Sequence, residues 1–256
     1  MILAILQARV SSSRLPGKVL KPILGKEMLL HQIERIQYSS LIDKLVIATS
    51  TDPSDDEIEK ICINNKIEVF RGDLINVLDR FYKCAIKYNP QLIVRLTGDC
   101  PLADWQVIDQ TIQYQIDGKF DYVTNRFKPA FPDGLDVEVI TYSSLKIAFD
   151  NALLPSEKEH VTYYVRQRKN QFKLGNYSSP KDLSNMRWTV DEIEDFVLVE
   201  KIYSNLYKKN PKFLIKDVLD LLSNQPELLK INSHIGTSEG MQKSLKEDRE
   251  FLKNEV

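Results

Sequence analysis

The chain has 256 residues, with 35 Lys and Arg against 36 Asp and Glu, so its formal net charge of -1 provides no global field that would gather nucleic acid or an anionic membrane. Any binding of anions must therefore be local. The length suffices for a substantial core and fits one large α/β domain with a helical appendage.

The three cysteines, Cys62, Cys84 and Cys100, are odd in number and without metal-ligand spacing, which argues against a disulfide framework and a zinc site. The opening MILAILQAR is too short for a spanning helix and lacks the pattern of a signal peptide. A soluble, cytoplasmic protein with no membrane insertion is expected.

Short apolar runs at residues 2–7, 45–49, 67–70 and 92–96 have the look of strands buried on both faces. Between them, residues 28–38, 54–64 and 76–88 carry apolar side chains three and four apart, with Ser54 and Asn76 as N-cap candidates. This alternation predicts a mostly parallel sheet with helices on both faces, whose ligands bind beyond the carboxyl ends of the strands. After residue 120 the rhythm changes, with runs at 121–125 and 135–140, helical stretches near 142–152 and 156–169, and strand candidates at 172–177 and 187–190. Helices near 192–208 and 214–222 close the fold, ahead of a polar tail from residue 236. The expected division is a domain over 1–235, with a mixed-sheet extension at about 120–180, and a tail over 236–256.

The loop after the first strand contains Arg9, Ser11, Ser12, Ser13, Arg14 and, past a Pro16-Gly17 turn, Lys18. Small residues let backbone N–H groups turn inward around a polyphosphate, arginine forks suit phosphate oxygens, and the lysine adds a point charge. The plainer reading is a solvated turn whose arginines pair with nearby carboxylates. Neither GxxxxGK[ST] nor GxGxxG occurs here. Asp99 follows LIVRLTG, where a buried strand emerges at the ligand edge, and Asp191 follows RWTV. Each suits a magnesium ligand or, read alone, a helix N-cap.

The string ARVSSSRLPGK (residues 8–18) resembles the signature of the cytidylyltransferases that make CMP-activated sugars, the acylneuraminate and 3-deoxy-manno-octulosonate synthetases, and most of all their spore-coat-polysaccharide (SpsF-like) branch. Five further blocks follow in order: GDLINVLDRF, TGDCPL, DGLDVEV, EHVT and RWTVD. The resemblance implies a Rossmann-like nucleotidyltransferase (GT-A-like) three-layer sandwich, a homodimer, and attack of an acceptor oxygen on the α-phosphate of CTP. It assigns Mg²⁺ to Asp99 and Asp191, with Arg14 and Lys18 on the β- and γ-phosphates, and adds Gln7, Ala8, Thr97 and Gly98 to the nucleotide set.

Cytosine recognition is expected from backbone groups around Arg71, Gly72 and Asp73, whereas Asp79 and Arg80 are equally well read as a solvated helix face. The loop 126–138 has the composition of one that folds over an acceptor, so Asn125, Arg126, Asp133, Asp136 and Glu138 are acceptor candidates, with His160 from the EHVT block. His31 and His234 have no supporting pattern. RGDLINVLDRFY and TGDCP depart from the serine- and threonine-rich block and QGDEP of the octulosonate enzymes, which leaves the acceptor open among acidic sugars, sugar phosphates and phosphonates. No general base stands out. The competing readings are a GT-A-type glycosyltransferase, disfavoured by the wrongly spaced DPSD and the misplaced DVE, and a silent nucleotide-binding subunit.

Overall fold

The computed structural model describes residues 1–236 and 239–254. Its frame is a seven-stranded sheet in the order β5-β4-β1-β6-β8-β7-β9. The first four chain-order members are β1 (Ile2–Gln7), β4 (Lys44–Ser50), β5 (Glu68–Gly72) and β6 (Leu92–Thr97), all parallel. A small hairpin of β2 (Pro22–Ile23) and β3 (Lys26–Glu27) lies outside that sheet. Of β7 (Tyr122–Thr124), β8 (Glu138–Thr141) and β9 (Leu174–Asn176), only β8 runs against the rest.

Alternation along the central strands divides the core in two. Ala4, Leu6, Val94 and Leu96 face one side, and Leu3, Ile5, Val46 and Ile93 face the other. The first side is covered by α1 (Met28–Ile36), α2 (Asp56–Asn64), α4 (Trp105–Gly118), α8 (Ile193–Leu206) and α9 (Ile215–Asn224). The second is covered by α3 (Val77–Tyr88), α5 (Tyr142–Asn151) and α7 (Tyr163–Arg166), which makes the expected three layers. Among the described residues no helix is long and apolar enough to cross a membrane.

Several local expectations are corrected. Asn76 does cap α3, accepting from Asp79 N–H, but Ser54 caps nothing: Asp52 accepts from Ser54 N–H ahead of a 3-10 turn that leads into α2. The stretch 156–169 is not one helix but α6 (Pro155–Glu159) and α7, broken at Val161. RWTV is not a sheet strand; it makes an isolated bridge between Asp133 and Arg187. The reason is visible at Gly134, where φ is 109° and an added Cβ would lie 2.4 Å from Thr189 N, so two loops pack backbone to backbone. The segment read as a polar tail contains α10 (Glu239–Asn254), whose Asp248 accepts from the backbone and hydroxyl of Ser156 at 2.9 and 2.5 Å.

Candidate active site

Strand order reverses between β1 and β6, the place where a parallel sheet leaves a crevice beyond its carboxyl ends. Gln7 and Thr97 are register partners at that edge, and Gly98 N–H donates to Gln7 O at 2.8 Å. A cavity of about 550 Å³ opens there. The signature loop lines it with Gln7, Ala8, Arg9, Ser12, Ser13, Arg14 and Lys18, and β6 and its exit line it with Arg95, Thr97, Gly98 and Asp99.

The loop reaches this shape through two ties. Val10 N–H donates to the buried Asp55 carboxylate at 2.7 Å, and Lys18 N–H donates to Leu15 O at 3.2 Å, closing a turn around Pro16 and Gly17. Gly17 at φ 70° and ψ 12° takes the third position of a type II turn, which a side chain would strain. Ser12 N–H is already used by Val10 O, so the loop is a nest only in part and its reach toward an anion falls to side chains. Ser11 does not line the cavity.

At the rim, Lys18 Nζ lies 2.8 Å from Asp191 Oδ1 and 3.5 Å from Asp99 Oδ2, and donates to Val190 O at 2.7 Å. Arg14 pairs with the other Asp191 oxygen at 2.9 Å. Asp99 and Asp191 are brought together by the backbone, since Val190 N–H donates to Asp99 O at 2.7 Å. Behind them Arg187 makes a two-pronged pair with Asp195 at 2.9 and 2.8 Å and touches Asp191 at 3.2 Å. Burial works against the Lys18 ammonium, but Asp99 and Asp191 outweigh it and hold its pKa above the ordinary lysine value. Burial likewise opposes the Asp99 carboxylate, and Lys18 with hydrogen bonds from its surroundings leaves its pKa below the usual range.

The base-recognition set is not brought to the cavity. Arg71 is tied to Ser50 O, Asp52 O, Asp56 and Glu59, Gly72 O accepts from Thr51 N–H, and Asp73 accepts from Ile75 and Asn76 N–H. Arg80, by contrast, is no solvated helix residue: it is 2% exposed and lines the cavity with Val77. Its Nη1 donates to Asp73 O at 3.1 Å, while its Nε is buried without a partner. Burial, reinforced by Arg9, pulls its pKa down to about 10, so it stays charged at neutral pH. Asp79 pairs with Lys83 at 2.9 Å on the same helix.

Most of the acceptor set also serves the fold. The fully buried Asn125 side chain donates to Leu135 O and accepts from Val137 N–H, clamping the two ends of the loop it begins. Glu138 accepts from Arg95 at 2.6 Å, Tyr122 at 2.9 Å and Thr162 at 3.2 Å. Arg126 reaches Asp133 at 3.4 Å and Asp136 at 3.3 Å. Burial, only partly offset by Arg126, raises the Asp133 carboxyl above its usual range and pushes Asp136 up to about 7. None of these five lines the cavity; His160 does, with Glu159 beside it. The cavity-lining residues missed from sequence are Arg80, Arg95, Val77, Glu159 and Val19. Arg95, a charge inside the otherwise apolar run LIVRLT, carried a readable signal; Val77 and Val19 carried none.

Comparison with known proteins makes the chain a nucleotidyltransferase. It belongs to the cytidylyltransferase family, whose model matches residues 3–235. It is 34% identical over 235 residues to the spore coat polysaccharide biosynthesis protein SpsF of Bacillus subtilis, covering 88% of this chain and 95% of that one. An uncharacterised protein of Methanocaldococcus jannaschii is also 34% identical, over 91% of this chain and 95% of its own length. Among solved structures, a cytidylyltransferase from Leptospira borgpetersenii superposes with a TM-score of 0.85 at 31% identity, covering 93% of this chain and 99% of that one. A CMP:2-keto-3-deoxy-manno-octonic acid synthetase complexed with CTP shares the fold, with a TM-score of 0.63 at 17% identity over 79% of this chain and 98% of that one.

Proposed function

We propose that this enzyme transfers CMP from CTP to a small sugar acceptor, with release of pyrophosphate, for surface polysaccharide synthesis. The observation that carries the reading is the Lys18 ammonium shared between Asp99 and Asp191 at the mouth of the cavity. Two carboxylates that converge on one cation are a fitting pair for Mg²⁺, which takes one or two protein carboxylates and completes its shell with phosphate and water. Asp99 and Asp191 would hold it, and it would neutralise charge on the phosphate oxygens. Among the described residues no cluster of three or more His, Cys, Asp or Glu competes for a metal.

The chain's own residues supply the rest. Arg9, Arg14 and Lys18, with Ser12 and Ser13, line the same space and can hold the triphosphate in line for attack on its α-phosphorus. Lys18 exchanges its carboxylate partners for phosphate oxygens as the nucleotide enters. A cytoplasmic homodimer is part of this reading, and size-exclusion chromatography with light scattering tests the dimer.

The deciding assay incubates the protein with each of the four NTPs, Mg²⁺ and a panel of acidic sugars, sugar phosphates and phosphonates, and measures pyrophosphate. Release with CTP alone is expected. Sugar transfer without pyrophosphate would replace this reading with a glycosyltransferase, and CTP binding without turnover would make the chain a silent subunit.

A further inference from the structure

A hydroxyl that attacks phosphorus must lose its proton, and the rim of Asp99, Asp191, Arg14 and Lys18 has no free base for it. His160, at the C-terminal end of α6, lines the same cavity. Its Nε2 lies 2.9 Å from Ser244 Oγ of α10, and that Oγ lies 2.6 Å from Glu159 Oε2. A carboxylate in this pair can only accept, so the one serine hydroxyl hydrogen goes to Glu159 and the serine oxygen accepts from the imidazole. The ring hydrogen is therefore on Nε2, and Nδ1 keeps its lone pair. Among the described residues Nδ1 has no hydrogen-bond partner, and it is not sealed from solvent.

The backbone is bent to hold the ring there. Val161, β-branched and fully buried, has φ 45°, a conformation such residues rarely adopt and that costs about 1–3 kcal/mol. It breaks the chain between α6 and α7 directly after His160. The third member of the relay comes from α10, beyond residue 235 where the family match ends.

We propose that Nδ1 of His160 is the general base of this enzyme, with Ser244 and Glu159 as positioning residues that fix its tautomer; the proposal rests on the cytidylyltransferase reading above. As the acceptor oxygen bonds to the α-phosphorus, its proton passes to Nδ1, and the bond to the bridging oxygen breaks with its electron pair leaving on pyrophosphate. The imidazolium then returns its proton to solvent. A base is useful only to a nucleophile that carries a proton, so the acceptor class is a sugar hydroxyl, not an ionised phosphate or phosphonate. Burial keeps the ring neutral, with its pKa below the ordinary histidine value: Arg95 of β6 and Arg166 of α7 oppose its protonation, and Glu159 of α6 and Glu138 of β8 favour it without prevailing.

The first test needs no acceptor. Long-range ¹H–¹⁵N NMR on the full chain, with H160Q to assign the signal, should show a neutral Nε2–H ring at neutral pH, mixed tautomers in S244A and recovery in S244T. An Nδ1–H ring or an imidazolium in the wild type would overturn the proposal. The second test uses CTP with 3-deoxy-manno-octulosonate as probe. H160Q should lower kcat by about 10²–10⁴-fold at unchanged KM for CTP and remove the fall in rate on the acid side of the profile. Turnover of H160Q at the wild-type level overturns the proposal. If the wild type does not turn over that probe, the acceptor panel above decides the functional reading, while the tautomer still decides this one.

Discussion

Two ion-paired groups include residues of β6 or its exit, one built on the single carboxylate of Glu138 and one on Asp99 and Asp191, and the second is the more open. Glu138 has both oxygens occupied by Arg95, Tyr122 and Thr162, with Arg166 at 3.8 Å, and its side chain is 9% exposed. At the rim, a single Lys18 ammonium divides itself between Asp99 and Asp191, whose side chains are 29% and 16% exposed. A closed, satisfied cluster fixes strand register; a shared cation with open flanks can exchange partners when a ligand arrives. Both groups are ion-paired, and what separates them is exposure: Glu138 is nearly closed to solvent, whereas Asp99 and Asp191 keep a solvent-facing side from which a ligand could reach Lys18.

The largest effect should come from breaking the open cluster: Asp99→Asn should reduce steady-state pyrophosphate release at least about 10²–10³-fold while leaving the thermal midpoint nearly unchanged. Breaking the closed one should show mainly as a loss of stability. Glu138→Gln leaves Arg95 buried and uncompensated, so denaturant unfolding should show a loss of about 3–5 kcal/mol. Arg95 and Arg166, opposing the burial of Glu138, hold its folded pKa below 4.5. Its contribution is then complete above the unfolded value and lost as pH falls through the folded one, so the gap between wild type and variant should close in acid.

A smaller test concerns the loop between the clusters. Asp136 is raised from 3.8 to about 7, so ionisation is disfavoured in the fold and wild-type stability should fall as pH rises between those values. Asp136→Asn should flatten that slope by about 1 kcal/mol in urea titrations at several pH values, the effect being limited by solvent reaching the side chain. Of similar size is Asn76→Ala, which removes the cap of the helix that carries Val77 and Arg80 to the cavity. A loss of about 1 kcal/mol in denaturant unfolding is expected.

Local pattern was enough for the parallel strands, the helices between them and the placing of the signature loop at the sheet's carboxyl edge. Apolar runs, periodicity and a Pro-Gly turn are short-range signals, and the physics that reads them is short-range too. It is silent on which polar side chains have distant partners. The Asn125 side chain, for example, is held by Leu135 O and Val137 N–H, partners that sequence alone does not show. Arg80 was evenly balanced between a site role and a solvated face because one helical turn does not reveal what covers it.

The amino-acid order by itself determined which groups stand at the ends of β1 and β6, since strand length and loop composition are written within a few residues. Only the tertiary structure decided that Lys18 meets carboxylates 81 and 173 positions away, and that His160 takes its partner from a helix 84 positions on. Such meetings depend on which elements pack together, a collective outcome of burying both faces of one sheet, and no local stretch of chain encodes it.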